Sequence, residues 1–341
     1  MSAFELDTDA LSAYLQSHIE GFSGPLTAEK FAGGQSNPTY RLDAASGRYV
    51  LRRKPPGKLL KSAHAVDREY RVMSALAGSA VPVPRMRVLC EDESVIGSMF
   101  YVMDFLDGDI YWNAALPDHS PDQRAAMYDR MNQLLADLHN VDVDAVGLSD
   151  YGKPGNYFAR QLNRWTQQYR ASETERLESV EKLIAYLEQA LPEDDGQSCL
   201  VHGDFRLDNM MFAKGGDTII ALLDWELSTL GHPYADLAYQ CMQWRLPSSA
   251  AIPGLGDLDR EALGIPSEAE YVSRYCERRG IEKIPHWEFY LAFSFFRLAA
   301  ILQGVYKRAL DGNASNTAAK SLGSMTDPLA AMGVAVAEHG A

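Results

Sequence analysis

Apolar residues recur along the 341-residue chain in two rhythms. Over residues 8–20 they fall at Leu11, Tyr14, Leu15, His18 and Ile19, the spacing of one helix face. Asp7 or Thr8 is placed to cap that helix, and Gly21 and Gly24-Pro25 end it. From residue 29 to 53 the rhythm changes to alternation. Lys30-Phe31-Ala32 leads into the turn Gly33-Gly34-Gln35-Ser36-Asn37-Pro38, then Thr39 to Leu42, a Ser46-Gly47 turn, and Tyr49 to Arg52. Residues 67–76 return to helical spacing, closed by Gly78. Val81-Pro82-Val83-Pro84 is extended. Arg87 to Cys90 and Met99 to Met103 read as strands about an acidic turn, Glu91 to Ser94. Beyond residue 120 helices dominate. One starts at Ser120-Pro121 and runs to about Asn140, with Met127, Met131, Leu134, Leu135 and Leu138 in phase. Others are predicted over 157–170, 174–190, 267–279 and 286–310. Leu246 to Gly264, rich in Pro, Gly and Ser, reads as a surface loop. The stretch Phe289 to Val305 carries Ser294, Arg297 and Gln303 and fits a buried helix better than a membrane span.

Two short apolar strands interrupt the helices. Cys199-Leu200-Val201 opens onto His202-Gly203-Asp204-Phe205-Arg206-Leu207-Asp208-Asn209, and Thr218 to Leu223 ends in Asp224-Trp225-Glu226. With the Lys214 to Asp217 turn between them they read as a hairpin that brings Asp204, Asn209 and Asp224 to one end. Phosphoryl transfer of the kinase type needs this set: one acid to orient the attacking hydroxyl, and an amide and an acid to hold Mg²⁺ on the nucleotide phosphates. A lone Asp in such places is ordinarily a turn residue. The joint pattern H-G-D-x-x-x-x-N followed by apolar-apolar-D is much harder to obtain from turn chemistry.

Composition narrows the classes. Hydrophobic residues make up 46% and charged residues 23%, as in ordinary globular proteins. A net charge of −14 argues against nucleic acid as a partner. The four cysteines, Cys90, Cys199, Cys241 and Cys276, are scattered and form no C-x-x-C, so reduced thiols in a cytosolic protein are expected. No signal-peptide pattern opens the sequence, and no membrane insertion is expected. The Gly33-Gly34 turn frees backbone N–H groups for phosphate oxygens, though such a hairpin turn is often only structural. No P-loop pattern is present. Basic residues gather at Arg52, Arg53, Lys54, Lys58 and Lys61, with Lys58 to Ser62 a candidate flap. Arg53 is expected on the face opposite Arg52 and Lys54, and a solvated basic strand end is the alternative.

The run from His202 to Asn209, then Leu223-Asp224-Trp225-Glu226, Gly231-His232-Pro233 and Asp236-Leu237-Ala238-Tyr239, resembles the aminoglycoside phosphotransferase and choline kinase-like families. It is most similar to the kinase-like domain associated with some acyl-CoA dehydrogenases. The resemblance covers about Phe31 to Arg308. It implies an α+β, bilobal, protein-kinase-like fold, with a small β-rich N-terminal lobe over residues 1–105 and a larger, mainly helical C-terminal lobe over 106–341. It implies a small-molecule kinase that uses ATP or GTP with Mg²⁺. Gly33, Gly34, Ser36 and Asn37 then belong to the nucleotide loop. Arg52 stands where the family commonly has lysine, a departure that keeps the charge. Glu69 is its implied helix partner, with an exposed surface Glu as the alternative. Met103, Asp104, Phe105 and Leu106 form the hinge against the adenine edge.

The resemblance also implies that Asp236 braces the loop and that His202 orders it. Arg206 is a candidate contact to the transferred phosphoryl group or the substrate, and Asp208 is read as a solvent-facing acid, with a weak metal contact as the alternative. A protein kinase is disfavoured because the metal acid lies in Asp-Trp-Glu and no Ala-Pro-Glu follows. A catalytically silent nucleotide-binding module is disfavoured because Asp204, Asn209 and Asp224 are all present. The branch implies a hydroxyacyl-CoA or related acceptor. An aminoglycoside or choline is the alternative that the acidic composition permits.

Overall fold

The structure is a computed structural model that describes residues 6–31, 37–55, 65–312 and 322–340. By its contacts the chain divides into two units, Met1–Asp109 with Met210–Ser228, and Ile110–Asn209 with Thr229–Ala341. The sequence suggested one contiguous cut after residue 105. The contacts instead return a late segment, Met210–Ser228, to the N-terminal unit.

In the first unit an antiparallel sheet runs in the order Leu26–Lys30, Thr39–Ala44, Gly47–Arg53, Phe100–Asp104, Met86–Cys90. One face buries Leu42, Leu51, Phe100 and Val102 against Leu11 and Leu15 of helix Thr8–His18. That helix is capped by Asp7, whose Oδ1 accepts the Ala10 N–H at 2.9 Å. Each such side chain taken fully out of water contributes about 1.5–3 kcal/mol. Alternation sends Arg52 and its cross-strand neighbour Tyr101 the other way, toward helix Val66–Ala75.

The hairpin differs from the one read in the sequence. Its strands are Met210–Ala213 and Ile219–Leu222, paired antiparallel. Cys199–Val201 pairs instead with Thr229–Gly231 in the second unit. The physical reason is the 3-10 turn Leu207–Asn209, which lets the chain extend again at once. Met210 and Phe212 then alternate inward. Gly108, in the short strand Gly108–Ile110, joins this hairpin as a third strand; a Cβ there would lie 2.4 Å from the Phe212 carbonyl oxygen.

The second unit is helical. Pro121–His139 begins with a capping box between Ser120 and Gln123. Helix Trp287–Leu310 is its packing centre and touches Tyr157–Ser172, Glu178–Gln189, Tyr234–Cys241 and Thr326–His339. It is long and apolar enough to cross a membrane by length and composition, yet most of its apolar stretch is buried within the protein. Two features depart from expectation. The 246–264 segment is tucked in rather than superficial, with Leu246 and Leu255 buried and Gly254 and Gly256 packed against the backbone of residues 243–246. Helix Thr326–His339 was not foreseen at all; Gly333 lets it approach Leu183 closely. All four cysteines are buried free thiols.

Candidate active site

The loop after Cys199–Val201 is held from several sides. Gly203 takes φ 85, a left-handed conformation that suits glycine. Asp236, 1% exposed, accepts the backbone N–H groups of His202 at 2.6 Å and Gly203 at 2.8 Å. Behind it stands His139, whose Nε2 lies 3.4 Å from Asp236 and whose Nδ1 lies 2.7 Å from the Tyr275 hydroxyl. Burial works to raise the Asp236 carboxyl, but His139 and the loop amides outweigh it and hold the group below the usual range. Burial lowers the His139 imidazole despite its acid neighbour. His202, fully buried, accepts the Asp204 N–H on Nδ1 at 3.2 Å and so orders the loop.

Asp204 is thereby fixed at its backbone, and its side chain is surrounded. Asn209 Nδ2 donates to the Asp204 carbonyl at 2.8 Å and to its carboxylate at 3.1 Å. Arg206 Nε lies 3.1 Å from Asp204 and its Nη2 lies 3.0 Å from Asp208, so Asp208 is an ion-pair partner rather than a free solvent-facing acid. Two residues that the sequence did not assign to the site complete this environment. Arg297 donates to the Gly203 carbonyl, and its guanidinium carbon lies 4.9 Å from the centre of the buried Tyr239 ring. Nothing local in the sequence marks Arg297, which comes from the middle of helix Trp287–Leu310.

In the other unit Arg52 is the centre. Its Nη2 donates to Asp224 at 2.7 Å and lies 3.5 Å from Glu226, and its Nε lies 3.3 Å from Glu69. Glu69, 1% exposed, also accepts from the buried Asn37 amide at 3.1 Å and the Tyr101 hydroxyl at 3.2 Å. The expected Arg52–Glu69 pairing is therefore present, and two further acids share the arginine. Burial pushes the Glu69 carboxyl up to about 7 against the pull of Arg52, with Asp224 and Glu226 adding to the rise. Burial also works to lower the Arg52 guanidinium, but the facing acids hold it above its ordinary range. Arg53 turns to the opposite face and donates to Ser98 Oγ at 2.8 Å, while Lys54 lies 3.7 Å from Asp67.

Asp224 itself sits at φ 62, ψ 62. A non-glycine residue in the left-handed region is strained, and such strain gathers at functional positions. In the segment from Met103 to Leu106, the Asp104 N–H donates to the Arg85 carbonyl at 2.9 Å and the Phe105 N–H to that of Arg48 at 3.3 Å. Those two amides are committed, and Leu106 is the next along. Met103 lies in the sheet, opposite Val50. Gly33, Gly34, Ser36, Lys58 and Lys61 lie outside the described residues.

Mg²⁺ demands hard oxygen ligands. The hydrogen bonds of Asn209 run through Nδ2, which leaves Oδ1 as its oxygen for a cation. Asp224 offers a part-exposed carboxylate, shared with Arg52. Both donors suit the ion. Asn209 belongs to one unit and Asp224 to the other.

A β-rich N-terminal unit, a helical second unit and an H-G-D-x-x-x-x-N loop define a protein-kinase-like fold. The chain belongs to the phosphotransferase enzyme family, whose model matches residues 27–279. It is 50% identical over 324 residues, 94% of its length, to mouse (Mus musculus) acyl-CoA dehydrogenase family member 10, and spans 30% of that relative's own length. A crystal structure from Ralstonia eutropha, provisionally assigned as an aminoglycoside phosphotransferase, matches with TM-score 0.91 and 50% identity over 98% of this chain and 99% of that one. The same fold, at 16% identity and TM-score 0.63, occurs in a thermostable mutant of aminoglycoside phosphotransferase APH(4)-Ia solved with ADP and hygromycin B, covering 97% of this chain and 100% of the other.

Proposed function

We propose that this chain is a small-molecule kinase that moves the γ-phosphoryl group of ATP or GTP to a substrate hydroxyl. The observation that carries the reading is the immobilised acid. Asp204 is held at backbone and side chain by Asn209, beside an Asp236 clamp on the preceding amides. A carboxylate so placed accepts the acceptor hydroxyl's hydrogen bond and then its proton as the oxygen attacks phosphorus. Asn209 and Asp224 would hold Mg²⁺, which neutralises phosphate charge when bound. Arg52, steadied by Glu69, pairs with the nucleotide phosphates. Arg206, with its Nε 3.1 Å from the acid, meets the transferred group or the acceptor. Met103 to Leu106 lie against the base. Buried free thiols favour a reducing, cytosolic setting.

For the acceptor, a hydroxyacyl-CoA or a related hydroxy acid derivative is favoured over an amino-sugar or choline. Arg206 sits by Asp204, Arg297 over the Tyr239 ring and Arg164 over Trp165. A polycation would be repelled there, while a carboxylate- or phosphate-bearing molecule would be attracted. The name of the mouse relative, acyl-CoA dehydrogenase family member 10, of which this chain spans 30%, supports the acyl reading.

Calorimetry with Mg·ATP and Mg·GTP tests the nucleotide; absence of metal-dependent binding to either would sink the kinase reading. ATP consumption with 3- and 4-hydroxyacyl-CoAs, free hydroxy acids, kanamycin-type aminocyclitols and choline tests the acceptor. Turnover on an amino-sugar or choline with none on any thioester would overturn the acyl proposal and leave the kinase reading standing.

A further inference from the structure

The second unit holds a cavity of about 990 Å³ between helices Glu268–Arg279, Trp287–Leu310 and Thr326–His339 and the segment that begins at Trp244. Its floor is the buried Trp244, Phe295 and Val336, and its walls include the half-buried Val272, Trp287 and Met332. Among the described residues, no member of the loop from His202 to Asn209 lines it. Trp244 packs edge-on against Tyr128, ring centres 5.5 Å apart, and Tyr128 stands three turns of helix before His139, the residue behind Asp236. At 1.5 Å per residue that separation is about 16 Å. The cavity is therefore remote from the acid of the proposed reaction. Its volume lies at the upper end of the range, about 300–1,000 Å³, that small molecules occupy. An apolar lining with a few polar groups is also the usual make-up of their sites.

The rim decides the charge of what fits. Arg245 and Glu268 are engaged with one another: Nε and Nη2 of the arginine donate to the carboxylate at 2.8 and 3.1 Å, and the Trp287 indole N–H adds a third bond at 3.0 Å. Glu268 therefore presents little charge to the cavity. Arg260 donates through Nη1 to the Leu255 carbonyl at 2.9 Å, and among the described residues neither it nor Lys283 pairs with a carboxylate. Glu282, exposed on the same rim, offsets one of these two cations. Three cations (Arg245, Arg260 and Lys283) thus face two acids (Glu268 and Glu282), a surplus of one positive charge on a chain of net charge −14. We propose that this cavity binds a small amphipathic monoanion, an aliphatic carboxylate, with its chain against Trp287 and Met332 and its head group met by Arg260 and Lys283. Half-exposed apolar walls gain by being covered, and the surplus cation selects the sign of the head group. A cationic chain of the same length gains the first contribution and not the second. The proposal does not rest on the kinase reading, because no residue assigned to phosphoryl transfer lines the cavity.

Titrating the full chain with 11-bromoundecanoate gives a direct readout, because bromine quenches an indole that it touches and Trp244 and Trp287 both line the cavity. Quenching should saturate, decanoate should reverse it, and Mg·ATP should leave it in place. Ala335→Phe, at an exposed helix position that lines the cavity, adds bulk inside it and should abolish the quenching with thermal unfolding unchanged. Arg260→Glu combined with Lys283→Glu reverses two charges at the head group. It should weaken decanoate binding by more than about tenfold and strengthen that of decyltrimethylammonium. Should Ala335→Phe fail to fold, the charge reversal decides alone. Absence of saturable quenching below the micelle concentration, displacement by Mg·ATP, or quenching that survives either Ala335→Phe or the charge reversal would overturn the proposal. So would a preference of the wild-type chain for decyltrimethylammonium. A concentration-dependent dimer in sedimentation velocity that Ala335→Phe dissolves would also overturn it, in favour of a second copy of the chain on this face.

Discussion

Two charged clusters, one in each unit, are built on opposite principles. Around Asp204 almost every charge has a dedicated partner: Asp236 has two amides and His139, Arg206 has two acids, and Asn209 bonds both backbone and side chain of the acid. Around Arg52 three carboxylates compete for one guanidinium, one of them from a strained residue, Asp224. The first cluster is pre-organised and needs no rearrangement to act. The second has an excess of negative charge that a divalent cation would relieve, while Arg52 would be drawn toward phosphate. On the proposed reading, the rigid acid would serve the acceptor and the charge-hungry cluster the nucleotide.

The largest expected effect breaks the first cluster at its centre. Asp204→Asn should cut turnover by about 10²–10⁴, the usual scale of general-base catalysis, and leave nucleotide binding by calorimetry nearly intact. A matching loss of nucleotide affinity would show that the two clusters do not divide their roles in this way. Next is the clamp. Asp236→Ala strips partners from two buried amides and from His139, and should cost about 3 kcal/mol in urea unfolding, at roughly 1–3 kcal/mol per unsatisfied buried group. Retained stability would mean that water or a shifted loop replaces the carboxylate.

The second cluster predicts a pH dependence of the opposite sense to that of a paired surface acid. The folded Glu69 carboxyl lies near 7, above its ordinary value. Its contribution to stability is therefore fully present below the unfolded value near 4.5 and is lost as pH rises toward 7. Urea titrations across that range should show a decline of about 2–3 kcal/mol in wild type and a flatter line in Glu69→Gln. The smallest effect is Arg52→Lys. The charge survives, the fork does not, and Mg·ATP affinity should fall by less than about tenfold. A larger loss would show that simultaneous contact with several groups, and not charge alone, is what this position supplies.

The candidate site was legible where its pattern is local. Asp204, Asn209 and Asp224 stand out by spacing, and the alternation of Tyr49 to Arg53 correctly sends Arg52 and Arg53 to opposite faces. What escaped is what folding alone brings together. His139 and Arg297 come from distant helices, and neither sits in a pattern that marks it. Met210–Ala213 was absorbed into the preceding loop because a four-residue strand offers too little alternation to separate from its neighbours. Helix Thr326–His339 is made of small residues, and its burial depends on a glycine contact that no periodicity expresses. Asp236 was placed under the loop by family resemblance; its hydrogen bonds give the reason for that placement.

Helix Trp287–Leu310 packs against four other helices and also delivers Arg297 to the loop that carries Asp204. The same rod therefore serves as foundation and as instrument. A substitution anywhere along its core face that slides it by a fraction of an ångström is transmitted to the Gly203 carbonyl. Divergence toward new acceptors is thus discouraged on this helix, whatever the acceptor demands. It is left to segments that can vary without moving the acid, and those are where lineages that exchange one substrate for another should differ most.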